Sequence, residues 1–153
     1  MNLAEMLTPA LCFAKIEGRS QKRVFEVLSK KISDRHFNLS YSDIFDALSA
    51  REKLGSTGVG DGVAIPHCRL EHEGPSIAAI ATLDEGIGFD ALDQKPVDLL
   101  VFLLVSGDAN QTHLDTLAGL AKMLSVEENR AALRKANSGE ELRTTLLNGV
   151  GLI

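Results

Sequence analysis

Val97-Asp98-Leu99-Leu100-Val101-Phe102-Leu103-Leu104-Val105 is apolar at every position but Asp98, without the alternation that marks a strand with one wet face. The run falls well short of the roughly 18–20 apolar residues of a membrane span. It predicts a strand covered on both faces. Outward from it, Ile77 to Leu83 reads as a second strand, Val63-Ala64-Ile65 as a brief one ended by Pro66, and Leu11 to Ile16 as another. Before them, Ser20 reads as the N-cap of a helix through Ile32 that buries Val24, Val27, Leu28 and Ile32. A second helix runs from about Ser42 to Arg51, with Ile44, Phe45 and Leu48 inward, Ser40-x-x-Asp43 at its start and Gly55 to end it in the left-handed conformation. The last third is helical. One stripe carries Leu114, Leu117, Leu120, Ala121 and Leu124, and Ser138-x-x-Glu141 forms a capping box for the final helix. Helices on both sides of a strand-rich middle imply an α/β fold, a three-layer α/β/α sandwich.

The 153 residues carry 16 Lys+Arg against 21 Asp+Glu, a formal charge of −5, with 44% hydrophobic and 24% charged residues. That is the composition of a soluble globular domain, and no linker, repeat or charge block divides it, so 1–153 reads as one domain. An acidic chain without a Lys/Arg run argues against non-specific nucleic-acid binding and against an anionic membrane surface. The start, Met1-Asn2-Leu3-Ala4-Glu5, lacks the basic and apolar regions of a signal peptide. Cys12 and Cys68 form no CxxC and are expected to be free thiols. The expectation is a cytoplasmic chain that is not membrane-inserted.

The chemistry concentrates in Arg51-Glu52-Lys53-Leu54-Gly55-Ser56-Thr57-Gly58-Val59-Gly60-Asp61-Gly62-Val63-Ala64-Ile65-Pro66-His67. A glycine-rich loop bares backbone N–H groups, which suits a phosphate; the same composition also suits a tight irregular turn. It is not a Walker A loop, because Asp61 follows Gly55-x-x-x-x-Gly60 where Lys-Ser/Thr is required, and no window gives the dinucleotide fingerprint. His67 follows at the far side of the short strand. An imidazole with an ordinary pKa of about 6.5 is partly neutral near pH 7, so one ring nitrogen can attack phosphorus while the other donates a hydrogen bond; a satisfied structural histidine is the alternative. Arg51, at a helix end leading into the loop, suits bidentate grip of phosphate oxygens or a solvated helix-end charge. His113 opens the helix carrying the leucine stripe, where a neutral imidazole can donate to a phosphoryl oxygen or simply occupy the first turn beside the cap candidate Thr112. His36 and His72 read as surface residues. Cys68 beside His67 lacks the further ligands of a metal site, and no metal is expected.

The run from Arg51 to His67, centred on Ala64-Ile65-Pro66-His67, resembles the active-site signature of the enzyme IIA domains of the fructose/mannitol-type phosphotransferase system. Arg51-Glu52-Lys53-Leu54-Gly55-Ser56-Thr57-Gly58 is more similar to the free-standing nitrogen-regulatory type, enzyme IIA-Ntr. Leu7-Thr8-Pro9 with Ser20-Gln21-Lys22-Arg23, Phe89-Asp90-Ala91-Leu92-Asp93, Pro96-Val97-Asp98-Leu99-Leu100 and Thr112-His113-Leu114-x-x-Leu117 resemble further family blocks, in order along almost the whole chain. The resemblance implies a mixed, about five-stranded sheet between helices. It implies that His67 accepts phosphoryl, through Nε2, from an HPr-like phosphocarrier (NPr) charged from phosphoenolpyruvate by enzyme I, with no resident cofactor. It also implies that Arg51 and His113 steady the group, and that Ser56, Thr57, Gly58, Gly60 and Gly62 form the loop beneath it. Its family associations extend to regulatory protein targets such as potassium transport and sensor kinase proteins. Two positions depart from the pattern: Cys68 stands where glycine usually follows the active histidine, and Asp61 where asparagine is common.

Three functions remain open at the level of sequence. A phosphoryl-transfer regulator is the first, favoured by the lack of any fused transport domain. A sugar-specific IIA component that passes phosphoryl to a separate IIB permease domain uses the same chemistry on a different client. A non-catalytic module with the glycine loop as an anion nest belongs to another class.

Overall fold

The computed structural model describes residues 3–71, 74–107 and 111–150. A short helix α1 (Leu3–Met6) and a 3-10 turn (Pro9–Leu11) lead into β1 (Cys12–Ile16), α2 (Gln21–Arg35) and α3 (Tyr41–Leu54). Then come β2 (Gly58–Gly60), β3 (Val63–Ala64), β4 (His67–Leu70), β5 (Ile77–Ile87) and β6 (Val97–Ser106), followed by α4 (Gln111–Leu124), α5 (Glu127–Lys135) and α6 (Gly139–Gly149).

The run that opens the sequence argument becomes β6, the middle of a mixed sheet ordered β1-β5-β6-β3-β2, with β4 also on β6. β5 is antiparallel to β6, while β3 and β4 both run parallel to it, Val63 opposite Leu99 and His67 opposite Leu103. β3 and β4 are thus one interrupted strand, so six strands occupy the five lanes expected. Along β6, Leu99, Val101, Leu103 and Val105 enter one core, and Leu100, Phe102 and Leu104 enter the other. The first core takes Leu120, Met123, Leu124, Leu133, Leu142 and Leu146 from α4, α5 and α6; the second takes Val24, Phe25, Leu28, Ile32, Ile44 and Leu48 from α2 and α3. Burial on both faces is why this strand lacks alternation.

The serine caps form as expected: Ser20, Ser40 and Ser138 accept the backbone N–H of Arg23, Asp43 and Glu141, each at 3.1 Å. Each such cap contributes about 1 kcal/mol. Several boundaries differ. α3 extends to Leu54, and Gly55 ends it at φ 157°, ψ 147°, not in the left-handed helical region. β5 continues to Ile87 past an irregularity after Thr82. On α4 the buried face is Leu120, Met123 and Leu124 with Leu117 half-buried, while Leu114 is 54% exposed and Ala121 is exposed, because the helix is turned toward Met123.

Candidate functional site

The site begins where the β3–β4 lane breaks. Pro66 has no N–H to give to a ladder, and the chain leaves β6 for Ile65 and Pro66 before His67 resumes pairing. Ile65 donates its N–H to the Thr57 carbonyl at 3.0 Å instead, and Leu103 donates to the Pro66 carbonyl at 2.9 Å. His67, the first residue of β4, is half-exposed. Its Nδ1 lies 2.6 Å from the Ile65 carbonyl oxygen. A carbonyl only accepts, so Nδ1 carries the proton and Nε2 keeps the free lone pair.

His113 is the third residue of α4, and its ring centroid stands 6.4 Å from that of His67 with the planes 49° apart. Burial pushes its pKa below the ordinary value, and the nearby charges of His67 and Arg69 lower it further. A neutral imidazole is therefore held beside the His67 ring. Its Nδ1 is buried without a hydrogen-bond partner among the described residues. The Thr112 side chain lies outside what the structure describes.

Arg69, which the sequence reading did not single out, adds a positive charge near His113. It lies two positions after His67 on β4, on the same strand face, and its Nη1 donates to the Gly107 carbonyl at 3.1 Å. Its i, i+2 spacing from His67 was the available signal. Arg51 lies near the C-terminal end of α3, a helix that packs along β4. Its Nη1 donates to the Gly55 carbonyl at 2.8 Å, and among the described residues it shares no hydrogen bond with either histidine.

The glycine loop does bind anions with its backbone, but they are the protein's own. The Thr57 N–H and hydroxyl donate to the two Glu52 carboxylate oxygens at 2.8 and 2.6 Å, and Asp61 N–H donates to Asp93 at 2.9 Å. Ser56 Oγ donates to the Phe89 carbonyl at 2.7 Å and accepts from Gly58 N–H at 3.0 Å. Gly58 and Gly60 lie in β2, paired to β3. The Ser56 hydroxyl, the Thr57 N–H and hydroxyl and the Gly58 N–H thus all donate within the protein itself. Asp61 and Gly62 stand at φ 58° and 79°, the positive-φ pair that a two-residue hairpin turn requires. A Cβ on Gly62 would also come within 2.5 Å of Arg134 Nη2.

Both departures from the family pattern fit. Cys68 needs no positive φ: it pairs with Leu104 in β4 and packs against the α2/α3 core, where burial pushes its thiol up to about 12. Asp61 tolerates the left-handed backbone as asparagine does, and its carboxylate faces Arg130 at 3.8 Å. Cys12 and Cys68 are free thiols. His36 is half-buried at the C-cap of α2, not on the open surface, and His72 lies outside the described residues. Among the described residues no three His, Cys, Asp or Glu side chains are grouped to hold a metal ion, and no helix is long and apolar enough to cross a membrane.

Residues 5–149 match the family described as phosphoenolpyruvate-dependent sugar phosphotransferase system, EIIA 2. The nitrogen regulatory protein of Pseudomonas aeruginosa is 43% identical over 142 residues, spanning 93% of this chain and 92% of that protein. That of Escherichia coli is 38% identical over 143 residues, spanning 93% and 87%. Among solved structures, nitrogen regulatory protein IIA-Ntr from Neisseria meningitidis superimposes with a TM-score of 0.87 at 40% identity, covering 93% of this chain and 97% of that one. IIA mannitol from Escherichia coli, at 18% identity and a TM-score of 0.70 over 94% and 96% of the two chains, shares the fold.

Proposed function

The chain belongs to the phosphotransferase system EIIA 2 family, and on that premise we propose that it is a nitrogen-regulatory IIA protein that takes a phosphoryl group from an HPr-like carrier, NPr, onto His67 Nε2. The observation that carries this reading is the 2.6 Å contact between His67 Nδ1 and the Ile65 carbonyl. It puts the proton on Nδ1, holds the ring, and leaves Nε2 with its lone pair on a half-exposed residue that a docking protein can reach. Nε2 attacks the phosphorus of the carrier's phosphohistidine. The P–Nε2 bond forms, the carrier's P–N bond breaks, and the carrier imidazole leaves with the electron pair. The positive charge left on the His67 ring is stabilised by the Ile65 carbonyl. His113 offers a neutral ring as donor to a phosphoryl oxygen, and Arg51 exchanges Gly55 for the incoming phosphoryl group.

The transfer needs no resident cofactor, and the protein works in the cytoplasm. Loading adds about −1.5 to −2 charges to one surface patch, enough to make or break docking to a regulated partner. Incubation with phosphoenolpyruvate, enzyme I and NPr is expected to add one acid-labile, base-stable phosphate, seen by mass spectrometry. His67→Ala takes none, with stability within about 0.5 kcal/mol of the parent, as for a substitution away from the core. An unchanged mass for the parent, or label retained by His67→Ala, overturns the proposal.

A further inference from the structure

We infer that Glu52 is a positioning residue for the phosphoryl acceptor, acting on His67 through Thr57 and Ile65. The inference deepens the reading of His67 as acceptor and rests on it. Four hydrogen bonds make three links in series, the first of them double. Glu52, in the last turn of α3, takes the N–H of Thr57 at 2.8 Å with one oxygen and its hydroxyl at 2.6 Å with the other. The Thr57 carbonyl takes the Ile65 N–H at 3.0 Å, and the Ile65 carbonyl takes His67 Nδ1–H at 2.6 Å.

Every link is one the local chain cannot supply otherwise. Thr57 is 4% exposed, so its two donors must be satisfied internally, and only a carboxylate accepts both at once with full charge assistance. The glycines around it, Gly55, Gly58, Gly60 and Gly62, contribute no side chains to hold the loop. Ile65 has left the β6 ladder at the Pro66 interruption, so the orientation of its peptide depends on Thr57. The Ile65 carbonyl in turn selects the His67 tautomer. The Thr57 N–H and carbonyl belong to different peptide groups, so the chain of bonds transmits position and not electron density. Glu52 fixes where the acceptor for Nδ1–H stands, and thereby which nitrogen faces the incoming phosphorus.

The test combines the imidazole ¹⁵N spectrum of histidine-labelled protein with the rate of transfer from phosphorylated NPr. In the parent, neutral His67 is expected as the Nδ1–H tautomer. Glu52→Ala is expected to mix the two tautomers and slow transfer about tenfold, the scale for a displaced supporting group, with the circular dichroism unchanged. Glu52→Gln keeps an oxygen for the Thr57 N–H and an amide to donate to its hydroxyl, so it retains the parent tautomer and most of the rate. Should Glu52→Ala not fold, Thr57→Val removes only the 2.6 Å hydroxyl bond and is expected to give a smaller shift in the same direction. Parent tautomer and parent rate in Glu52→Ala, or in Thr57→Val if the first does not fold, overturn the inference. If the parent itself accepts no phosphoryl group, the proposed function fails, and the tautomer spectra alone still decide whether Glu52 positions the ring.

Discussion

β6 and the glycine-loop strand β2 flank β3 on either side, yet they are held by opposite means. β6 is fixed by ladders to β5, β3 and β4 and by apolar side chains fully buried on both faces. Many weak contacts share that task, and no single one decides the strand's position. The segment from Gly55 to Gly62 has only a three-residue edge strand. Its place depends on a few named polar contacts: Glu52 on Thr57, Ser56 on Phe89, Asp93 on Asp61, and Arg134 on the Asp61 carbonyl at 2.7 Å. Substitutions in the first region should therefore cost stability, and in the second should cost geometry at His67 while the fold survives.

The largest effect expected within the core tests the first half of that contrast. Phe102 is fully buried and meets Phe25 edge-to-face with ring centroids 6.0 Å apart, and Phe25 meets Phe89 in the same way. Phe102→Ala removes that packing and leaves a cavity, at a cost of about 3–5 kcal/mol, a large share of the roughly 5–15 kcal/mol that holds a domain together. Urea unfolding should show it. The molecules that remain folded should still transfer phosphoryl at nearly the parent rate, because no bond of the loop involves Phe102. A shifted His67 tautomer in Phe102→Ala would break the contrast.

A smaller effect locates the boundary between the two regions at one residue. Cys68 follows His67 directly but belongs to the core by its packing, and burial pushes its thiol to about 12 from an ordinary 9.0. The thiolate is the reactive form, so alkylation at pH 8 should be about a thousandfold slower in the native protein than in urea. Equal rates would mean that β4 opens freely and carries His67 with it.

The same contrast governs what could be read before any coordinates. β6 was legible because an unbroken apolar run has one economical fate in a chain of this size, and the serine caps were legible because their partners lie three residues away. The Asp61-Gly62 turn carries a hairpin signal in its residue pair, although the surrounding glycines mask β2 as irregular. Glu52 was not legible: a glutamate in the last turn of a helix ordinarily reads as a solvated charge, and its function depends on the chain doubling back at Gly55. Arg69 was hidden likewise, since an exposed arginine on a short strand matters only once α4 brings His113 near. Leu114 misled because helical spacing fixes which residues share a face but not how the helix is rotated against its neighbours. The residues joining the loop to His67 are thus the ones whose meaning is set by tertiary approach.

His113 provides the finest test, because it belongs to neither region. It comes from α4, across the sheet from Glu52's helix, and its pKa lies below the ordinary 6.5 through burial first and then the charges of His67 and Arg69. Between that lowered value and 6.5 the unfolded chain binds more protons than the folded one, so stability rises with pH across this window. The contribution is fully present above 6.5 and is lost as pH falls toward the folded pKa. An NMR titration of the His113 ring should place its midpoint below 6.5, and urea unfolding at pH 5.5 should show a lower midpoint than at pH 7.5, by an amount that His113→Gln reduces. A phosphoryl group on His67 would place negative charge beside His113, and a neighbouring dianion favours the protonated imidazole. The His113 midpoint should then move up in the phosphorylated protein. A midpoint that ignores phosphorylation would separate the two rings electrically, and would leave Arg51 and Arg69 as the groups that answer the incoming charge.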